Sequence, residues 1–125
     1  MNKIITSSKA PAPIGPYNQA VLAGDTLYIS GQIALNPETG ELMMDSIEEE
    51  TKWVMKHLGS ILEEAGMDYS NLVKCSIFVT DMDNFSAINE VYGTFFQKNP
   101  PARETVEICR LPKNVNVEIS GIAVK

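Results

Sequence analysis

The segment from Ser46 to Gly66 constrains the fold most, because its two ends and its buried face can all be read from the residues alone. Ser46 followed three positions later by Glu49 is a capping-box signature, and Glu48, Glu49 and Glu50 place negative charge at the positive end of a helix dipole. Ile47, Val54, Leu58, Ile61, Leu62 and Ala65 recur at three- and four-residue spacing, so they share one face, and Gly66 supplies the stop. The spacing predicts a helix of about five turns. Three consecutive helical carboxylates point in different directions, so Glu48 to Glu50 reads as a solvated first turn and not as a metal site.

Strand-like runs flank this helix. Lys3–Thr6, Gln19–Ala23 and Thr26–Gly31 come first, the last two joined by Gly24-Asp25, a connection suited to a tight hairpin. Pro37 to Gly40 is a turn by composition. Asn71–Thr80 follows as a strand in which Val73, Cys75, Ile77 and Val79 share a face by the two-residue period. A second helix is predicted from about Asn84 to Gln97, carrying Phe85, Ile88, Tyr92, Phe95 and Phe96 at helical spacing until Pro100-Pro101 forbids its continuation. Glu104–Arg110 and Val115–Val124 complete a β-β-β-α-β-α-β-β order, which favours an α+β fold with both helices on one face of the sheet. Val106, Ile108, Ile122 and Val124 put apolar residues on more than one side of that sheet. An open apolar face asks for a cover, and oligomerisation is the natural one.

At 125 residues the chain suits one domain over 1–125, and with 44% hydrophobic and 21% charged residues it reads as an ordinary globular protein. Ten Lys and Arg against sixteen Asp and Glu give a net charge of −6, which opposes a non-specific grip on nucleic acid or an anionic membrane. No run of roughly 18 apolar residues and no N-terminal signal region is present, so a cytoplasmic protein is expected. Cys75, Cys109 and the sole histidine, His57, lack the count and spacing of a disulfide framework or a zinc site. His57 reads as a surface or helix-face residue, and Cys75 as a small core hydrophobe.

A few residues resist a purely structural reading. Glu118 lies between Val117 and Ile119 in the last strand, where a buried carboxylate needs a partner or a wet cavity, although Asn116 and Ser120 on the same alternation also fit a solvent-facing acid. Arg103 follows Pro100-Pro101-Ala102 on stiff backbone and can clamp a carboxylate or phosphate, or simply make a surface ion pair. In Gly15-Pro16-Tyr17 one permissive and one rigid residue fix the direction of a phenol, as an ordinary turn would also do. Asn89, near the apolar stripe of the second helix, can reach a ligand or cap a backbone group.

Taken in order, PIGPYNQA at Pro13–Ala20, SGQI at Ser30–Ile33, NFSAINEVYGTFF at Asn84–Phe96, PAR at Pro101–Arg103 and RLPKNVNVEI at Arg110–Ile119 resemble the reactive intermediate deaminase (Rid) family, A-type archetype. The resemblance runs from Ile14 to Val124. It implies a chorismate-mutase-like fold, a homotrimer whose sheets form a central barrel, and active sites between subunits. The implied activity is hydrolysis of reactive 2-enamino and 2-imino acids, such as 2-aminoacrylate, to 2-oxo acids and ammonia, with no metal or organic cofactor. Arg103 matches the family's carboxylate-binding Arg and Glu118 the acid beside the attacking water, while Tyr17, Ser30 and Asn89 match pocket residues. The backbone of Gly31 and of Thr105 is then a candidate for holding the substrate's carboxylate and nitrogen.

The chain departs from the family pattern at Thr105, where Cys is usual, and at Ser120, where many relatives carry Glu. A role through the backbone survives the first change, because Thr keeps the same N–H and C=O, whereas a role through a thiolate does not. A rival of another class is a trimeric binding or regulatory protein that holds small carboxylates without turnover. Some relatives are linked to ribonuclease or translation-inhibiting activity, but the net charge and the lack of a basic cluster argue against RNA.

Overall fold

In the computed structural model, which describes residues 2–125, the long helix α1 runs Ile47–Glu64, and the Ser46 hydroxyl accepts the Glu49 amide at 3.0 Å. Glu49 itself stays in solvent, so only half of the capping box forms. The helix ends where Gly66 takes a φ of +73°, a conformation that glycine adopts without strain.

The strands are β1 (Lys3–Ile5), β2 (Ala20–Ala23), β3 (Thr26–Gln32), β4 (Leu72–Val79), β5 (Ala102–Glu107) and β6 (Val117–Val124), and a second helix, α2, spans Phe85–Gly93. They form a mixed six-stranded sheet in the order β1-β2-β3-β6-β4-β5. Every neighbouring pair is antiparallel except β4 and β5, which α2 joins, as a parallel pair requires a crossover. The Gly24-Asp25 hairpin is present, with Ala23 opposite Thr26. Along one face of the sheet, Leu27, Ile29, Cys75, Ile77, Val79, Val117, Ile119 and Ala123 pack against Val54, Met55, Leu58, Ile61 and Leu62 of α1 and Ile88 of α2. No helix among the described residues is long and apolar enough to cross a membrane.

Several sequence expectations need correction. Val73 does not join Cys75, Ile77 and Val79: the register slips by one residue between Leu72 and Lys74, so Leu72 turns inward and Val73 outward. The second helix stops at Gly93, not Gln97. Phe95 and Phe96 lie beyond it but still pack on Tyr69 and Tyr92, which is why the apolar spacing outruns the helix. The fifth strand starts and ends earlier than expected, at Ala102 and Glu107, and the last begins at Val117, because Asn116 is held by a side chain of α1.

That side chain is Glu50, and the solvated reading of the acidic turn fails there. Glu50 is fully buried and accepts the Asn116 amide and side chain, both at 2.8 Å, and the Val117 amide at 3.3 Å. His57 is likewise no surface residue. It is 2% exposed, its ring stands 5.8 Å from that of Trp53, and Nε2 contacts the Leu35 carbonyl at 2.8 Å, where it must carry the hydrogen and donate. Burial holds its pKa below the usual histidine value, an effect the Leu35 contact partly offsets.

Candidate active site

The sheet register splits the candidate residues between its two faces. Arg103 and Thr105 lie opposite Cys75 and Ile77 in a parallel pair, where paired residues point the same way, so both face the helices. Residue 118 alternates with the core residues Val117 and Ile119, so Glu118 faces the open side. One chain therefore holds its two sets of candidate groups on opposite faces of the sheet.

On the helical side, the Arg103 guanidinium lies 5.6 Å from the ring centre of Phe85 and 5.0 Å from that of Tyr92. Its Nη1 donates to Asn89 Oδ1 at 2.8 Å. Phe85, Asn89 and Tyr92 come to the same cation because they are spaced four and three apart on α2. Asn89 thus meets Arg103, and it caps no backbone group. Among the described residues Arg103 has no carboxylate within ion-pair distance, so its positive charge is uncompensated. Ile77, Val79, Phe85, Ile88, Asn89, Arg103 and Thr105 line a crevice too narrow to admit a water. The Thr105 hydroxyl is buried there without a hydrogen-bond partner, so its side chain holds nothing.

On the open side, a cleft of about 340 Å³ is lined by Ile14, Tyr17, Ser30, Gly31, Ile33, Pro112 and Glu118. The sheet register slips again between Ile29 and Gln32, and this bulge sets Gly31 over the Glu118 carboxyl. A Cβ at Gly31 would come within 2.7 Å of Glu118 Cδ, so a larger residue there would displace the carboxyl from this position. Glu118 is half-buried, and no donor among the described residues reaches its carboxylate. Burial alone pushes its pKa above the ordinary Glu value.

Two supports escaped the sequence reading. The loop that carries Tyr17 is fastened by the buried Gln19, whose Oε1 accepts the Ser7 amide at 2.7 Å and whose Nε2 faces the carbonyls of Ser7, Ala10 and Pro11 at 3.1, 3.3 and 2.8 Å. Ser30 Oγ ties the same loop to β3 by donating to the Asn18 carbonyl at 2.6 Å. Tyr17 itself is 48% exposed at the rim, with its hydroxyl 3.4 Å from the Ile14 amide. Glu50, the second support, anchors the backbone immediately before Glu118. Glu50 falls three residues after Ile47 and four before Val54, so its place on the apolar stripe was the available signal. Nothing in the pattern marks Gln19.

The family model described as Endoribonuclease L-PSP matches residues 7–125. The chain belongs to this family. A rat protein named 2-iminobutanoate/2-iminopropanoate deaminase is 46% identical over 125 residues, all of this chain and 91% of the relative. Among solved structures, a Yersinia pestis member of the conserved Rid protein family superposes with a TM-score of 0.97 at 41% identity, covering both chains entirely. Escherichia coli TdcF with bound serine gives 0.95 at 39% identity over 98% of each chain. The resemblance read from the five sequence strings is thereby shown.

Proposed function

We propose that this chain, as one domain over 1–125, hydrolyses 2-enamino and 2-imino acids to 2-oxo acids and ammonia, in sites shared between the subunits of a chorismate-mutase-like homotrimer. The observation that carries this reading is the uncompensated Arg103, a cation held in place by neutral groups and thus open to a substrate carboxylate. The names of the full-length relatives support the substrate class. The subunit arrangement is supported by the split itself, since Arg103 and Glu118 face opposite sides of one sheet, and by Tyr28, Val106 and Val124 exposed on the open side.

A 2-imino acid carries one permanent negative charge, and a positioned guanidinium supplies its orientation. The enamine first becomes the imine by moving a proton from nitrogen to the terminal carbon. Water then adds to the imine carbon: Glu118 takes one proton from the water as its oxygen bonds to carbon, and that proton goes to nitrogen. The second water proton then passes from the oxygen to the nitrogen as the C–N bond breaks and the C=O bond forms, giving the 2-oxo acid and ammonia. Tyr17, Ser30 and Gly31 shape the cleft beside the acid, while the Thr105 backbone serves the substrate's nitrogen or carboxylate. A carboxylate lifted above its ordinary pKa by burial suits this shuttle better than a fully solvated one.

The test is release of ammonia and 2-oxo acid from freshly generated 2-aminoacrylate, with light scattering on the same sample. Accelerated release by a trimer is expected. Binding of 2-oxo acid without release would identify the non-catalytic binder, and a stable, active monomer would overturn the shared sites.

A further inference from the structure

We infer that Tyr92 is a positioning residue for Arg103, acting through the face of its ring and not through its hydroxyl. The inference deepens the proposed function and rests on its assignment of Arg103 to the substrate carboxylate. An arginine side chain has many rotamers, and a clamp that must order itself on binding loses affinity for each one frozen. Arg103 lacks an acidic partner to order it in advance. Its order comes from α2: Asn89 takes one N–H and so sets the rotation of the fork, while the rings of Phe85 and Tyr92 supply π faces for the cation.

The two rings are not equivalent. Phe85, at the start of α2, is half-exposed, whereas Tyr92 is 4% exposed and braced by Phe96, with ring centres 4.9 Å apart, and Phe96 meets Tyr69 edge-on. Tyr92 is therefore the fixed member. Its hydroxyl is buried, and its one polar neighbour is the Cys75 thiol, a weak hydrogen-bond group that itself lies in the core. Burial also raises its pKa, so the phenol stays neutral and takes no part as a base. A neutral phenol with only a buried thiol beside it leaves the ring as the part that meets Arg103.

Substrate and transition state carry the same carboxylate, so loosening the clamp should act on KM far more than on kcat. Tyr92→Leu is expected to raise KM for a 2-imino acid about tenfold with kcat little changed, and Tyr92→Phe to bring KM back to the wild-type value. Where the leucine variant fails to fold, Tyr92→Met, closer in volume and equally without a π face, takes its place. The Arg103 Nε–H resonance, assigned by its loss in Arg103→Lys, gives a readout independent of turnover. It should be shifted upfield by ring current in the wild type and in Tyr92→Phe, and return towards the free-arginine position in Tyr92→Met. Wild-type KM in a folded variant lacking the ring, or a phenylalanine variant as impaired as the leucine one, overturns the inference. So does an unshifted Arg103 resonance in the wild type. An absence of imine turnover with the ring-current shift intact overturns the proposed function and leaves the positioning of Arg103 standing.

Discussion

Glu50 and Glu118 approach the start of β6 from opposite sides of the sheet, and their surroundings could hardly differ more. Glu50 is fully buried yet satisfied, with two backbone amides and one side-chain amide pointed at its oxygens. Glu118 is less buried but meets no donor, and it sits in a cleft under a glycine. Depth of burial is therefore a poor guide to reactivity. What matters is whether the charge is already spoken for, because a carboxylate with filled lone pairs is fixed while one without partners remains free to accept a proton. The same contrast separates Arg103, braced by rings and an amide, from Lys74, whose charge is matched by Glu104 at 2.9 Å.

The largest expected effect comes from making Glu118 resemble a satisfied group. Glu118→Gln should lower kcat by about 10²–10⁴-fold while leaving 2-oxo acid binding nearly intact. Because burial raises the pKa of Glu118, the wild type gains stability from its protonated form below the ordinary Glu range and loses that contribution as pH rises through the raised value. The glutamine variant should thus melt higher than wild type at neutral pH, with the gap closing on acidification. Equal melting curves at all pH values would contradict the burial argument. Next, Arg103→Lys keeps the charge but loses the planar fork, and should lower kcat/KM about a hundredfold with the fold retained, as circular dichroism and light scattering can check.

Glu50→Ala attacks the satisfied partner instead. It strands the Asn116 and Val117 amides, and should cost about 2–6 kcal/mol in chemical denaturation, at roughly 1–3 kcal/mol per stranded group. Loss of activity in step with loss of folded protein is expected there, unlike the clean kinetic loss at Glu118. A smaller effect follows from His57. Its native pKa is depressed, so stability is flat above the unfolded histidine value near 6.5 and falls as pH drops below it; His57→Gln should blunt that slope in thermal melts. The smallest change is expected at Thr105, whose orphaned hydroxyl holds nothing. Thr105→Cys should leave rates within about threefold, since the strand backbone is unchanged. A large gain accompanied by new sensitivity to thiol reagents would show that the side chain is chemical.

The sequence was most informative where local rules act alone. Ser46 and Gly66 bracket α1, and Gly24-Asp25 makes the hairpin, because caps and turns depend on a few neighbouring residues. The faces were harder. Single-residue slips near Val73 and at Ser30-Gly31 reverse the alternation, and such bulges are set by pairing with distant strands. Phe95 and Phe96 kept a helical rhythm outside any helix, since tertiary contact with Tyr69 and Tyr92 needs only their bulk. At the candidate site, Glu118 and Asn89 stood out as polar residues in apolar settings, and Arg103 by the stiff Pro100-Pro101 backbone before it. Their separation onto two faces did not, because it follows from β5 lying parallel to β4, a long-range fact invisible in the residues of either strand.

The Gln19 amide has a consequence for motion. Between Ser7 and Asn18 the chain has neither ladder nor helix, so most of its tertiary hydrogen bonds converge on one side chain, with Ser30 Oγ holding the far end at Asn18. Segments secured by so few bonds open all at once, as a cooperative unit with one free energy. The Ser7 amide, sealed against Gln19 Oε1, should therefore exchange its hydrogen for deuterium far more slowly than its irregular surroundings suggest. Its protection would gauge how often the whole arm carrying Tyr17 swings free, making one amide a clock for the rim of the cleft.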